Sequence, residues 1–205
     1  MKTESLNKEL AKVGAPTDYT HLGRQLTPLE ALVNGPFSAK PYVKILVRYL
    51  TDSEVTNKDY IARALTERGL TDASGSLIAL FADKEMSESE LWAVGNALYV
   101  IDDKTTYKEI REISRRGNLG VARQMLLGTL ARSKDEDSYT VLIDCLKDDS
   151  VRGHAIEALG RFGSTAAIVV IENTEVEKGK YEFKAKQTAL RRLRKIKEKT
   201  AANIL

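Results

Sequence analysis

The chain reads as all-α, a row of about five to six paired helices, and three observations predict this. First, a small residue followed by leucine recurs at Ala31-Leu32, Ala64-Leu65, Ala97-Leu98, Thr129-Leu130, Ala158-Leu159 and Ala189-Leu190. The leucines are separated by 33, 33, 32, 29 and 31 residues, the spacing of stacked repeats rather than of a single-core globule. Second, neighbouring positions agree: Ile61, Val94, Leu126 and Ala155 stand four before the leucine, and Ile101, Phe162 and Leu193 three after it. Together they form one apolar helical stripe per unit. Third, another apolar run precedes each of the later marker helices, so the unit is helix, turn, helix. The small residue has a physical role, because it lets a neighbouring helix approach closely. Pro28 and Lys186 break the stripe in the first and last copies, as expected of terminal repeats with one neighbour.

Taken in order, Leu6, Leu10 and Val13 have helical spacing, and Gly14-Ala15-Pro16 ends that helix. Residues 16–25 are loop-like, so 1–36 is expected to be an irregular cap. Thr27-Pro28-Leu29-Glu30 is a helix start with N-cap, proline and reciprocating glutamate. Pro41 opens a run from Val43 to Leu50, and a marker helix is expected over 58–68 with Gly69 at its C-cap. Leu77 to Phe81 precedes a helix that Ser87-Glu88-Ser89-Glu90 opens. Tyr107 to Ile113 is followed by the separator Gly117-Asn118-Leu119-Gly120. Tyr139 to Leu146 precedes the best copy, where Asp149 or Ser150 is expected to cap. Ala167 to Ile171 is β-branched enough for a strand, but its place in the repeat makes it a helix. The last segment, 178–199, is long and basic.

The stretch Asp149-x-Val151-Arg152-x-x-Ala155-x-x-Ala158-Leu159-Gly160 resembles the signature of HEAT-like repeats first described in phycobilisome lyases. Gly120-Val121-Ala122-Arg123, with Leu126 and Leu130, matches it in part. The resemblance implies a right-handed α-solenoid of about five to six HEAT-like helix pairs, forming one domain over 1–205, with second helices lining a concave side. It also implies that Arg123 and Arg152 bond turn carboxylates, with Asp144, Asp148 and Asp149 as candidates. It identifies a structural unit and no activity.

Among 205 residues 30% are charged, and no apolar run approaches the ~20 residues of a membrane span. The N-terminus leads into no signal-peptide core, so a cytoplasmic protein is expected. Cys145 is the single cysteine and lies on an apolar run, which suits a buried structural thiol. There is no Gly-rich phosphate loop, no cysteine pair and no His-Glu-x-x-His; His21 and His154 are isolated. Neither catalysis nor a cofactor nor a metal site is expected.

Positions six and two before the marker leucine and two after it share a helix face. They supply the candidate partner-binding residues Arg63, Trp92, Asn96, Arg132, Glu157, Arg161, Lys184 and Arg192. Any solvated helix face looks similar, but interfaces favour Trp and Arg, and Trp92 is the expected anchor. Segment 178–199 carries ten basic and two acidic residues, a charge of +8 that leaves −5 for the rest of the chain. It adds Arg191 and Lys195, which share a face with Lys184 and Lys199, opposite Phe183, Leu190, Leu193 and Ile196. Such a face can bind phosphate, cap the stack or dock an acidic partner. The expectation is a non-enzymatic protein-binding scaffold: an adaptor, an assembly factor or an immunity-type inhibitor. The alternative is a nucleic-acid-binding protein, possibly DNA-glycosylase-like, using the basic C-terminal helix. Its weakness is an aromatic content of 6% with no second tryptophan. A bilin-handling protein is a third reading, on fold analogy alone.

Overall fold

The computed structural model describes residues 2–202, whose regular structure is helical apart from one two-stranded hairpin. They fall into two compact units, Met1–Thr106 and Tyr107–Leu205.

The first unit holds α1 (Lys2–Lys12), α2 (Pro28–Asn34), α3 (Val43–Leu50), α4 (Lys58–Ala64), α5 (Ser74–Ala79) and α6 (Glu88–Ile101). The helices pair as α1–α2, α3–α4 and α5–α6; α2, α4 and α6 pack in chain order, as do α1, α3 and α5. Thr27 and Ser87 both close capping boxes: each hydroxyl accepts the N–H of the glutamate three residues on, and that carboxylate takes the cap N–H at 2.8 Å. Within the loop-like 16–25 the structure adds a short hairpin, β1 (Thr20–His21) against β2 (Arg24–Gln25). Positive φ at Leu22 and Gly23 makes its two-residue turn possible. Helix α4 ends at Ala64, short of the expected residue 68. The chain is needed elsewhere: Gly69, in the left-handed region at φ 82°, donates its N–H to Ile101 O at 3.1 Å. That bond satisfies a carbonyl left orphaned at the end of α6.

The second unit holds α7 (Tyr107–Ser114), α8 (Gln124–Ser133), α9 (Glu136–Asp144), α10 (Arg152–Phe162), α11 (Ala167–Asn173) and α12 (Tyr181–Ala202). Again the pairs are α7–α8, α9–α10 and α11–α12, with α8, α10 and α12 packed in order. The β-branched run at Ala167 is a helix, as its repeat position requires. The expected cap of α10 is corrected: its N-cap is Val151, without a side-chain bond. Asp148, rather than Asp149 or Ser150, organises this turn by accepting the Ser150 N–H at 3.0 Å and hydroxyl at 2.6 Å.

The core follows the repeat. The small residue is buried in all six copies, and the leucine in the first five. Leu190 is the exception and is half-exposed; α12 buries Ala185, Ala189 and Leu193 instead. Close approach is explicit between α10 and α12, where a Cβ added to Gly160 would lie 2.8 Å from Ala189 Cβ. In α8 the small position is Thr129, fully buried, and its hydroxyl has no hydrogen-bond partner.

Polar fastenings repeat as well. Lys58 at the start of α4 reaches Asp83 at 2.8 Å, and Arg123 just before α8 reaches Asp148, each across 25 residues. In both cases a cation opening a second helix meets the aspartate closing the next first helix. Asp52 holds the same place after α3 and takes Lys2 at 2.9 Å. Each of the three aspartates also accepts the N–H two residues on. Arg123 is 2% exposed and donates to Gly120 O and Ser114 O as well. Arg152 stays in its own turn, bonding Asp149 and Leu146 O, while Asp144 pairs with Lys147. Cys145 is buried beside this network, and burial pushes its thiol up to about 11, so it stays protonated and inert.

These contacts generate three predictions. Gly160→Val should cost about 1–3 kcal/mol in urea denaturation by overpacking the α10–α12 contact. Thr129→Val, which removes an unsatisfied hydroxyl at similar shape, should be neutral or stabilising by about 1 kcal/mol. Arg123→Met should approach the low end of the about 3–5 kcal/mol that breaking a buried pair costs. Water reaches Asp148, whose side chain is 33% exposed, and this limits the loss.

Candidate functional site

Each unit presents the outer face of its second helices. Of the eighteen positions the repeat assigns to that face, Leu26 and Gly153 are buried and the others are partly or fully exposed. The face is therefore real in both units, though its parts differ.

In the first unit it is shaped by local hydrogen bonds. Asn34 Nδ2 donates to the Tyr60 hydroxyl at 3.2 Å, and Arg63 lies 3.6 Å from Asp59 one turn back. Glu67 folds away from solvent to accept Ser38 Oγ and the Ala39 N–H, both at 2.8 Å. A shallow concavity of ≈ 530 Å³ results, with Leu32, Val33, Phe37, Arg63, Glu67 and Asn96 among its walls. The structure thus brings the candidates Arg63 and Asn96 together. Trp92 is half-buried one turn earlier on α6 and lies outside that concavity.

In the second unit Glu157 is the organiser. Its carboxylate accepts both the Arg161 guanidinium and the Tyr181 hydroxyl, so two candidates are paired with each other. The Tyr181 ring covers Gly153, where an added Cβ would meet it at 2.7 Å, and its centroid is 5.0 Å from the His154 ring. Burial and then the Glu157 bond raise the Tyr181 phenol far above its ordinary value, so it remains a donor. Beside this group, Lys134 Nζ donates to Arg161 O at 2.7 Å and Phe162 O at 2.5 Å and lies 5.1 Å from the Phe162 ring centroid. It satisfies the bare carbonyls at the end of α10, where a cation also suits the helix dipole. Desolvation, and then the nearby charge of Arg192, lower its pKa. Arg132 is exposed on α8.

The basic helix is divided between two surfaces. Lys184, Thr188 and Arg192 are exposed on the stripe positions of α12. Arg191 and Lys195 instead line an open groove of ≈ 1210 Å³ alongside the end of α11, with Val176, Lys178, Phe183 and Leu190. This corrects the expected face: Phe183 and Leu190 share a surface with Arg191 and Lys195 rather than opposing them, and Lys184 is not among the groove's walls. Two cations there are structural. Lys186 Nζ donates to Glu172 O at 2.8 Å and Thr174 O at 2.7 Å, capping α11, and Arg194 pairs with Glu172 at 2.7 Å.

Sequence reasoning missed Lys134, Tyr181 and Lys186. The only signal for Tyr181 was a glycine, Gly153, in the first turn of a helix, where it permits a ring to lie on the backbone. Nothing in the pattern marked the two lysines, because their partners are carbonyl oxygens that every residue carries.

Among the described residues no helix is long and apolar enough to cross a membrane, and no group of three His, Cys, Asp or Glu stands together as metal ligands. Comparison with models of known protein families gives no match, and comparison with curated proteins gives none.

Burial lowers the His154 pKa, and the Glu157 charge offsets this only in part. The folded state therefore prefers neutral imidazole, while the unfolded chain binds a proton from about pH 6.5 downward. Stability should fall as pH drops from about 7.5 to about 5.5. Thermal melts of wild type and His154→Gln across that range should show a shallower fall for the variant.

Proposed function

We propose that the chain is a non-enzymatic protein-binding scaffold, a right-handed α-solenoid of HEAT-like helix pairs that acts in the cytoplasm on another protein. The observation that carries this reading is one of register. In every second helix the small residue is buried, while the position two before the marker leucine keeps some exposure, fully at Arg63 and Thr188 and partly at Glu30, Asn96, Gly128 and Glu157. A repeated helix that buries one stripe and leaves the same neighbouring stripe open in every copy suits an extended partner. The face includes the exposed Arg63, Arg132 and Arg161 and the half-buried Trp92, residue types that dominate binding energy in interfaces. The fixed Glu157–Arg161–Tyr181 group adds pre-organisation, which reduces the ordering cost of association. An adaptor, an assembly factor and an immunity-type inhibitor all use such a surface.

Nucleic-acid binding through α12 is the second reading, favoured by the +8 charge of 178–199. Against it, Lys186 and Arg194 are already committed to α11, and the helix offers little aromatic surface for stacking on bases.

The discriminating experiment is capture of partners from the native cell, followed by titration of the recovered protein. Trp92→Ala should weaken binding by about 30-fold, the scale of a hot-spot loss of ~2 kcal/mol. A generic DNA duplex should bind weakly at low salt. A strong, steeply salt-dependent duplex affinity with no captured protein would replace the first reading with the second.

A further inference from the structure

We propose that the groove between α11 and α12 is a docking site for an acidic, amphipathic helix of a partner protein, seated where a further helix of the row would stand. This rests on reading the chain as a protein-binding scaffold, and uses a surface distinct from that of Trp92.

The floor is apolar for an identifiable reason. The marker leucine is at most 5% exposed in α2, α6, α8 and α10 and in Leu65 at the end of α4. Leu190 alone is half-exposed, because among the described residues no helix follows α12 to cover it. Phe183 and Val176 are half-exposed beside it in the same groove. At ≈ 1210 Å³ the groove exceeds the ~300–1,000 Å³ usual for a small-molecule site, and it is open along its length. That shape suits a polypeptide segment laying one apolar face into it.

The rim decides which segment. Lys186 and Arg194 are engaged by α11, but Lys178, Arg191 and Lys195 make no ion pair among the described residues. Five cations and the carboxylates of Glu172, Glu175 and Glu198 line the groove, a net charge of +2, and a net positive rim around an apolar floor complements a helix with one apolar face and acidic flanks. A second copy of this chain does not fit, since two +8 segments would face each other. A DNA duplex could reach the rim phosphate by phosphate but would leave Phe183 and Leu190 uncovered.

The test uses the full chain and a fluorescein-labelled synthetic peptide of about 18 residues, five helical turns, with leucine on one face and glutamate on the other. Fluorescence anisotropy should show saturable binding. The double variant Arg191→Glu/Lys195→Glu alters only exposed side chains, and circular dichroism verifies its fold. It should bind at least ~10-fold more weakly, as should a peptide of the same composition in scrambled order. Trp92→Ala should bind the peptide as wild type does. Equal binding of patterned and scrambled peptides would overturn the proposal, as would no saturable binding. So would displacement of the peptide by a DNA duplex or by phosphatidylserine vesicles that the double variant no longer binds. If the peptide fails while Trp92→Ala still abolishes partner capture, the groove proposal falls and the scaffold reading stands.

Discussion

The structure depends on how closely its second helices can approach. Helices packed through large side chains stand well apart, whereas a small residue on each side brings backbones together. Gly160 and Ala189 show the limit, with no room for even one added carbon. The same register position is small in all six copies, and within each unit the successive second helices pack on one another. The leucine beside it then fills the remaining space, and the residues two positions away are left outward. The exposed face is thus a by-product of the packing rule, which is why the same positions are open in both units.

Close packing fixes distance but leaves the turns to be fixed by polar groups. An aspartate ending a first helix folds onto its own turn and takes a cation from the preceding pair. Lys58 with Asp83 and Arg123 with Asp148 are two versions of one fastening. The lysine pair is partly open and the arginine is almost wholly enclosed, so the second carries the larger consequence when broken. Lys134 and Lys186 extend the theme by satisfying carbonyls at the ends of α10 and α11. Several basic residues are thus committed to architecture, while Lys178, Arg191 and Lys195 stand on the walls of the groove beside α11.

Much of the helical layout was legible in the sequence because it rests on periodic side chains. The small-leucine step and the two capping boxes follow from local pattern, and the helix at Ala167 from its place in the repeat. What escaped notice depends on backbone partners or on what lies beyond the segment. The early end of α4 reflects a carbonyl of α6 that Gly69 satisfies. The partial exposure of Leu190 depends on what packs against α12, and a stripe drawn from one helix alone cannot register that. The helical wheel of α12 placed Arg191 opposite Leu190 because it assumed that apolar positions share a single buried side. The helix in fact buries Ala185, Ala189 and Leu193 on one flank and leaves Phe183 and Leu190 on the wall of the groove.

The Lys58–Asp83 and Arg123–Asp148 ties each bridge only 25 residues and the Lys2–Asp52 tie 50, and the helices they hold lie close together in sequence. Long-range loop closure is therefore a small part of the barrier to building either unit. A chain wired in this way should zip up from whichever pair forms first, at a speed closer to that of helical bundles than of β-sandwiches of equal length.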